Sequence, residues 1–404
     1  MAAIDDPSAL TASGLVNDSA RNRVSASTRP LMRAARYHQV GAPFSIDQVE
    51  IPVPRSTDVL VQIKACGIVP NLNYVIENLL RHPALHAPPL PATYGLDAAG
   101  VVVDKGSQVY GVDIGDRVYV NPMRYCGGCR HCRMGNVLAC DYWIFAGYFG
   151  RGAKSQQMFE DYPYGGLAEY MTAPQYSVVH LPDNVSFETA ARWGYWGTSY
   201  SALRHSNANM SSTVLVNGAS GTLGLGAVVF ALALGVPKIL GVGRNAALLQ
   251  KVKALSPDRI EILSTEEGVS VAAWARSLTG GHGAHIVIDA LPTGAAPASL
   301  TAALAALGNC GCHVNIGGVY HDAPINFLDF MNKNQNMIGS FWFSTKEGQE
   351  MADLAGSRIV DLSCLEHHVF ALEDVNTALA TISGRNGGFS NYVISPDPEV
   401  RRLR

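Results

Sequence analysis

The stretch Thr213-Val214-Leu215-Val216-Asn217-Gly218-Ala219-Ser220-Gly221-Thr222-Leu223-Gly224-Leu225-Gly226, running on through the apolar residues Ala227 to Leu234, decides the fold. Thr213 to Val216 has the texture of a buried strand, a glycine-rich turn follows, and an apolar helix opens directly behind it. A helix that opens there offers free N–H groups and partial positive charge to a pyrophosphate. Gly221 lets the backbone approach phosphates, and Gly224 lets the helix lie close to the strand. The pattern is A-x-G-x-x-G from Ala219, with Gly218 ahead of it. Gly218, Ala219, Ser220, Gly221, Thr222, Leu223 and Gly224 are therefore the expected dinucleotide-binding residues. A glycine turn alone is common between strand and helix; the strand, turn and helix together carry the reading.

Outward from this unit, strand and helix keep alternating. Ile239 to Val242 reads as the next strand, Ala246 to Leu255 as the next helix, and Ile286 to Asp289 and His313 to Ile316 as later strands. That alternation indicates an α/β unit with a parallel, doubly wound sheet. The second strand ends Gly241-Val242-Gly243-Arg244-Asn245, where an acidic residue would hold the ribose hydroxyl of NAD. No carboxylate stands there. Gly243 leaves room, Arg244 can pair with a 2′-phosphate, and Asn245 closes the set, so NADPH is the expected cofactor. The plainer alternative makes Arg244 a solvated surface charge.

Toward the N-terminus, from Arg36 to about Val120, short alternating runs such as Val59 to Ala65 are punctuated by Gly106-Ser107 and Gly115-Asp116. This is the texture of an antiparallel barrel. A glycine-rich excursion then places Cys126, Cys129, Cys132 and Cys140 within fifteen residues. Four soft ligands on a short loop suit one structural zinc in a closed tetrahedron, with no position left for water. The alternative is four unrelated thiols.

The 404 residues are 48% hydrophobic and 16% charged, enough for two or three domains with large cores. A net charge of -3 argues against nucleic acid or an acidic membrane as partner. No apolar run approaches the roughly 20 residues of a membrane span. Residues 1–33 are rich in Ser, Ala, Asn and Asp, lack the apolar middle of a signal peptide, and read as a mobile extension. A cytoplasmic location is the expectation by default.

The barrel motif Gly115-Asp116-Arg117-Val118, Gly166-Leu167-Ala168-Glu169-Tyr170, Leu181-Pro182, the cysteine quartet and the glycine turn together resemble the medium-chain dehydrogenase/reductase superfamily of zinc alcohol dehydrogenases and quinone reductases. The resemblance covers about Ala35 to Ile394. It implies a chaperonin-10-like β-barrel catalytic domain over 34–188 and 343–404, with a zinc lobe at 121–145. It implies a Rossmann NADPH-binding domain over 189–342, a small-molecule substrate, and a homodimer or homotetramer. The family's catalytic zinc would be held at positions that fall on Val69, Leu96 and Gly194, none of which can bind a metal. Asp97 follows Leu96 but is no site by itself.

Without that metal, hydrogen-bond donors must polarise the substrate. Asn71, Tyr74 and Tyr195 are the candidates by position in the family; each has a packing role as its alternative. No cation is expected near Val69 or Leu96 to replace the metal, since Lys64 precedes the turn and Arg81 lies beyond it. Trp193, Trp196, Phe341, Trp342 and Phe343 suit a bulky apolar substrate, or equally a core or a subunit interface. Three readings compete: an NADPH-dependent reductase of an activated C=C bond or quinone, a zinc-independent carbonyl reductase or alcohol dehydrogenase, and a non-catalytic NADPH-binding protein.

Overall fold

The computed structural model describes residues 29–77, 84–320 and 322–397. Residues 1–28 and Arg81 lie outside that range. Strand β1 (Leu31–Tyr37) pairs antiparallel with β2 (Ser45–Glu50), so Leu31 to Arg33, expected in the N-terminal extension, are strand instead. Arg33 anchors this start, with ion pairs of 2.8 Å to Glu169 and 2.6 Å to Glu373.

The barrel-side sheet holds β3 (Asp58–Gly67), β4 (Asp97–Lys105), β5 (Arg117–Val120), β6 (Tyr170–Pro174) and β7 (Val178–His180). Two late strands complete it, in the order β7-β5-β4-β3-β15-β14 with β6 also on β3. The register matters for the site. Gly67 at the end of β3 lies opposite Asp97 at the start of β4, and Ile394 of β15 pairs with Cys66. Helix α1 (Leu72–Ile76) follows β3 immediately, so the chain from Gly67 to Asn71 turns over the open end of this sheet.

The parallel sheet contains β8 (Thr213–Asn217), β9 (Lys238–Gly243), β10 (Ile260–Ser264), β11 (Ala284–Asp289), β12 (Leu307–Asn315) and β13 (Asn336–Gly339). Their order, β10-β9-β8-β11-β12-β13, is that of a doubly wound dinucleotide fold. The chain then returns to the first sheet with β14 (Glu366–Ala371) and β15 (Ser390–Ser395).

Between the sheets lie helices α2 (Trp193–His205) and α3 (Thr222–Ala233), followed in the chain by α4 (Ala246–Ala254). Glycines make the α2–α3 packing close. A Cβ on Gly226 would stand 2.7 Å from the Trp196 ring, and one on Gly197 2.5 Å from that of Phe343. Trp193, Trp196, Trp342 and Phe343 are all buried here. Of the five expected aromatics only Phe341 is exposed, and it rests on Trp143 and Phe145.

Candidate active site

Three segments converge where β3 and β4 open. Val69 and Leu96 are buried carbon, and Gly194 lies on the first turn of α2. Asp97, only 1% exposed, follows Leu96 and packs against Gly194. Its Oδ1 accepts the Tyr119 hydroxyl at 2.9 Å, and the Gly194 N–H also donates to the carboxyl. A Cβ at position 194 would sit 2.0 Å from that same Oδ1, so the carboxyl occupies the volume a side chain there would need. Burial pushes the Asp97 acid up to about 7, against the opposing pull of Tyr119, Arg192 and Gly194.

Above this pocket, Asn71 gathers two phenols. Tyr148 donates to its Oδ1 at 2.5 Å, and the Tyr195 hydroxyl donates to the same oxygen. With the carbonyl so held, the side chain of the exposed Asn71 has its amide N–H groups left for another acceptor. Two of the three expected donors thus meet. Tyr74 lies on α1 and is not hydrogen-bonded to this cluster. Tyr148 is the residue that sequence reasoning missed. It follows the left-handed Gly147 in a lobe turn, and no spacing in the chain links it to Asn71.

The expectation that no cation approaches is overturned. Arg192, at the N-cap of α2, is 4% exposed and donates from Nη2 to the Ser390 carbonyl at 2.5 Å. Arg385, on the loop before β15, is half-buried and donates to the Ile382 carbonyl at 3.2 Å. The charges of both bear on Tyr195, whose acid is raised first by burial and then by Asp97. Neither arginine is close in sequence to Val69 or Leu96, which is why a local search passes over them.

The glycine turn has the shape a dinucleotide requires. Gly218 has φ 88°, a left-handed backbone that favours glycine, and a Cβ on Gly224 would stand 2.0 Å from the Gly218 carbonyl oxygen. Helix α3 starts at Thr222 with no side-chain cap, and the Thr222 hydroxyl is buried without a partner. Those unsatisfied donors fit a pyrophosphate. Ala219 is buried, and Ser220 and Leu223 sit within the same turn and first helical turn. At the end of β9, a Cβ on Gly243 would be 3.5 Å from the Ser220 hydroxyl. Arg244 is exposed, and its guanidinium has no partner among the described residues. The Asn245 side chain caps α4, accepting from the Leu248 N–H at 3.0 Å, so its first role is structural.

The cysteine lobe brings its four sulfurs within 4.8 Å of one another. Four thiolates about 2.3 Å from one zinc stand about 3.8 Å apart, so the set fits. Backbone N–H groups already point at sulfur: Cys126 and Tyr142 at Cys140, each 3.4 Å, and Cys129 at Cys126, 3.3 Å. Donors of that kind stabilise thiolates, and the thiol of Cys129 is lowered to about 6 by the backbone of Asp141 and Cys132. This is the one group of His, Cys, Asp or Glu able to hold a metal among the described residues.

Comparison with known proteins adds to the geometry. Residues 55–183 match the family described as alcohol dehydrogenase GroES-like domain, and residues 222–357 match zinc-binding dehydrogenase. An alcohol dehydrogenase of Geobacillus stearothermophilus is 30% identical over 83% of this chain and 94% of its own. A quinone oxidoreductase of Homo sapiens is 30% identical over 91% of this chain and 99% of its own. An NAD-dependent alcohol dehydrogenase of Sulfurisphaera tokodaii is 31% identical over 64% of this chain and 71% of its own. Among solved structures, AibC superposes with a TM-score of 0.77 at 23% identity, covering 91% of this chain and 97% of that one. A zinc-binding dehydrogenase from Sinorhizobium meliloti 1021 bound to NADP gives 0.76 at 22% identity, covering 91% and 100%. At such identity these structures speak to the fold.

Proposed function

The chain belongs to the medium-chain dehydrogenase/reductase superfamily and is an oxidoreductase, and from that premise we propose that it reduces an activated C=C bond with NADPH and without a catalytic metal. The substrate class is an enone, enal or quinone-like compound with a bulky apolar or aromatic body. One observation carries this reading: where the resemblance puts the catalytic metal's ligands stand Val69, Leu96 and Gly194, with a buried Asp97 against Gly194, and Asn71 nearby is held by two phenols.

The turn from Gly218 to Gly224 would hold the cofactor, which when bound would supply the hydride. The chain's part is to hold the substrate oxygen and return a proton. The Asn71 amide N–H donates to that oxygen, its direction fixed because its carbonyl accepts both Tyr148 and Tyr195. Tyr195 gives its proton to the carbon beside the carbonyl, and Tyr148 stands next to it in the same hydrogen-bonded group. Tyr74, half-buried on α1 and outside the cluster, is given no step. A zinc ion would contribute several kcal/mol of oxyanion stabilisation. One placed neutral donor contributes roughly 3–4 kcal/mol. Conjugate addition needs less, because the substrate spreads the developing charge itself.

The structural zinc belongs to Cys126, Cys129, Cys132 and Cys140, as a folding device away from the cleft. No described helix is long and apolar enough to cross a membrane. We take the second copy of a homodimer or homotetramer to dock at β13, an edge strand flanked by exposed Phe327, Leu328, Met331 and Met337.

An enal offers both bonds to the enzyme, so its product decides. Saturated aldehyde from enal and NADPH is the expected result; allylic alcohol would replace this reading with carbonyl reduction. Asn71→Ala and Tyr195→Phe should each lower turnover about a hundredfold, with NADPH affinity unchanged.

A further inference from the structure

We infer that Arg192, Arg385 and the N-terminus of α2 form an oxyanion site at the substrate end of the cleft, and that it takes the carboxylate of a conjugated or aromatic acid. The inference rests on the reading that the cleft beside Tyr195 is where substrate binds.

The argument begins from two cations that lack a counter-ion. Arg192 spends Nη2 on the Ser390 carbonyl, while its Nε is buried without a partner. Arg385 spends Nη1 on the Ile382 carbonyl, and its Nε is likewise buried and unpartnered. Neither forms an ion pair among the described residues. Burial lowers both guanidiniums, Arg192 to about 10, and the charge of Arg385 bears on Arg192 as a like charge. Leaving a buried charge uncompensated is costly, and adding a like charge beside it costs more.

Asp97 is the acid whose charge reaches Arg192. Its carboxyl is already engaged by Tyr119 and the Gly194 N–H, and with an acid near 7 it is only part ionised at neutral pH. At least one positive charge is therefore left over. The N-terminus of the thirteen-residue α2 adds to it, since that helix has no side-chain cap and Arg192 is its N-cap residue. Arg192 caps the helix whose first turn carries Tyr195, and Ser390 links it to the loop of Arg385, accepting from Arg192 at its carbonyl and from the Asn386 N–H at its hydroxyl, so the excess charge lies beside the proton donor.

Two sources could supply an anion here, the substrate or the cofactor's phosphates. The loop carrying Arg385 rests on the glycine turn, where Gly388 N–H donates to the Ser220 carbonyl at 2.8 Å. The pyrophosphate has its own donors at the start of α3, however, whereas Arg192 is tied to Ser390 and its charge acts on Asp97. The substrate is thus the better match. The chemistry is consistent with the proposed reaction. A carboxylate weakens the electrophilicity of the C=C bond conjugated to it. Two guanidiniums that neutralise the carboxylate restore it, so hydride adds to the β-carbon and the α-carbon takes the proton from Tyr195. The carboxylate itself is unchanged.

Binding, not turnover, tests this. The protein with NADP+ bound is titrated with cinnamate and with cinnamamide, its neutral isostere, by tryptophan fluorescence. Cinnamate should bind about tenfold tighter or more, a difference of about 1.4 kcal/mol. Arg385→Gln and Arg192→Gln should remove that preference while leaving affinity for cinnamamide and NADP+ within about twofold. Arg192→Lys, which keeps the charge, should retain most of it and guards against a variant that fails to fold. Equal binding of the two probes overturns the inference. So does a loss of NADP+ affinity that matches the loss of cinnamate, which would assign the arginines to the cofactor. If cinnamate binds as expected but enals give allylic alcohol, the anion site stands and the C=C reading falls.

Discussion

The cysteine lobe and the cleft beneath Asn71 are the two places where the family's pattern puts metal, and this chain treats them oppositely. In the lobe, sulfurs from one loop of fifteen residues stand within 4.8 Å of one another, with backbone N–H groups aimed at them. In the cleft, three segments far apart in sequence meet as Val69, Leu96 and Gly194, and a carboxyl packs against Gly194. The lobe's chemistry is local and its ligands are interchangeable in kind. The groups of the cleft come from the whole fold, and what meets there is a set of hydrogen-bonding side chains, Asp97, Tyr119, Asn71, Tyr148 and Tyr195, rather than a set of metal ligands from one loop.

The sharpest way to break that contrast is to count and remove the metal. Purified protein should contain about one equivalent of zinc by elemental analysis; two equivalents would mean the cleft holds metal after all. Cys129→Ser should lower the melting temperature sharply, because structural zinc in small sites contributes on the order of 10 kcal/mol. Brief treatment with a chelator should leave turnover intact as long as the lobe keeps its ion.

The next effect is in the cleft. The Asp97 acid is raised to about 7 from an unfolded value of 3.8, so between those values the folded state holds a proton that the unfolded state has lost. Stability from this group is complete below pH 4 and is lost as pH rises through 7, by linkage on the order of 4 kcal/mol. Asp97→Asn should flatten the denaturation profile over that window and gain on the wild type above pH 7. A profile of unchanged slope would mean that the carboxyl is not the buried group it is taken to be here.

How much of this was legible beforehand follows from the same contrast. Features written in contiguous residues could be read: the strand, turn and helix from Thr213, and the cysteine loop. Asn71 and Tyr195 were found because the family supplies a register for them. Tyr148 and Arg385 were not, since they reach the site from a lobe turn and a late loop with no periodicity to announce them. Arg192 stood two residues from Gly194, yet an arginine before a helix reads as surface until the fold buries it. Tyr74, placed by its position in the family, stands on α1 outside that hydrogen-bonded group.

The smallest expected effect concerns the cofactor, and it sets the glycine turn beside the end of β9. The turn recognises what NADH and NADPH share. Only the strand end can tell them apart, through the 2′-phosphate. There Gly243 has no side chain, Arg244 is exposed and unpartnered among the described residues, and the Ser264 hydroxyl donates to the Arg244 carbonyl at 2.9 Å, fixing the backbone. Several relatives are named NAD-dependent, so the proposed NADPH preference stands or falls with this position. A charge-assisted hydrogen bond at an exposed site contributes about 1.5 kcal/mol, close to tenfold in affinity. Titration by fluorescence should therefore give NADPH about a tenfold advantage over NADH. Arg244→Ala should remove it by weakening NADPH alone. If NADH weakens equally, Arg244 supports the turn and not the phosphate; if neither changes, the guanidinium stays in solvent and the chain accepts both cofactors.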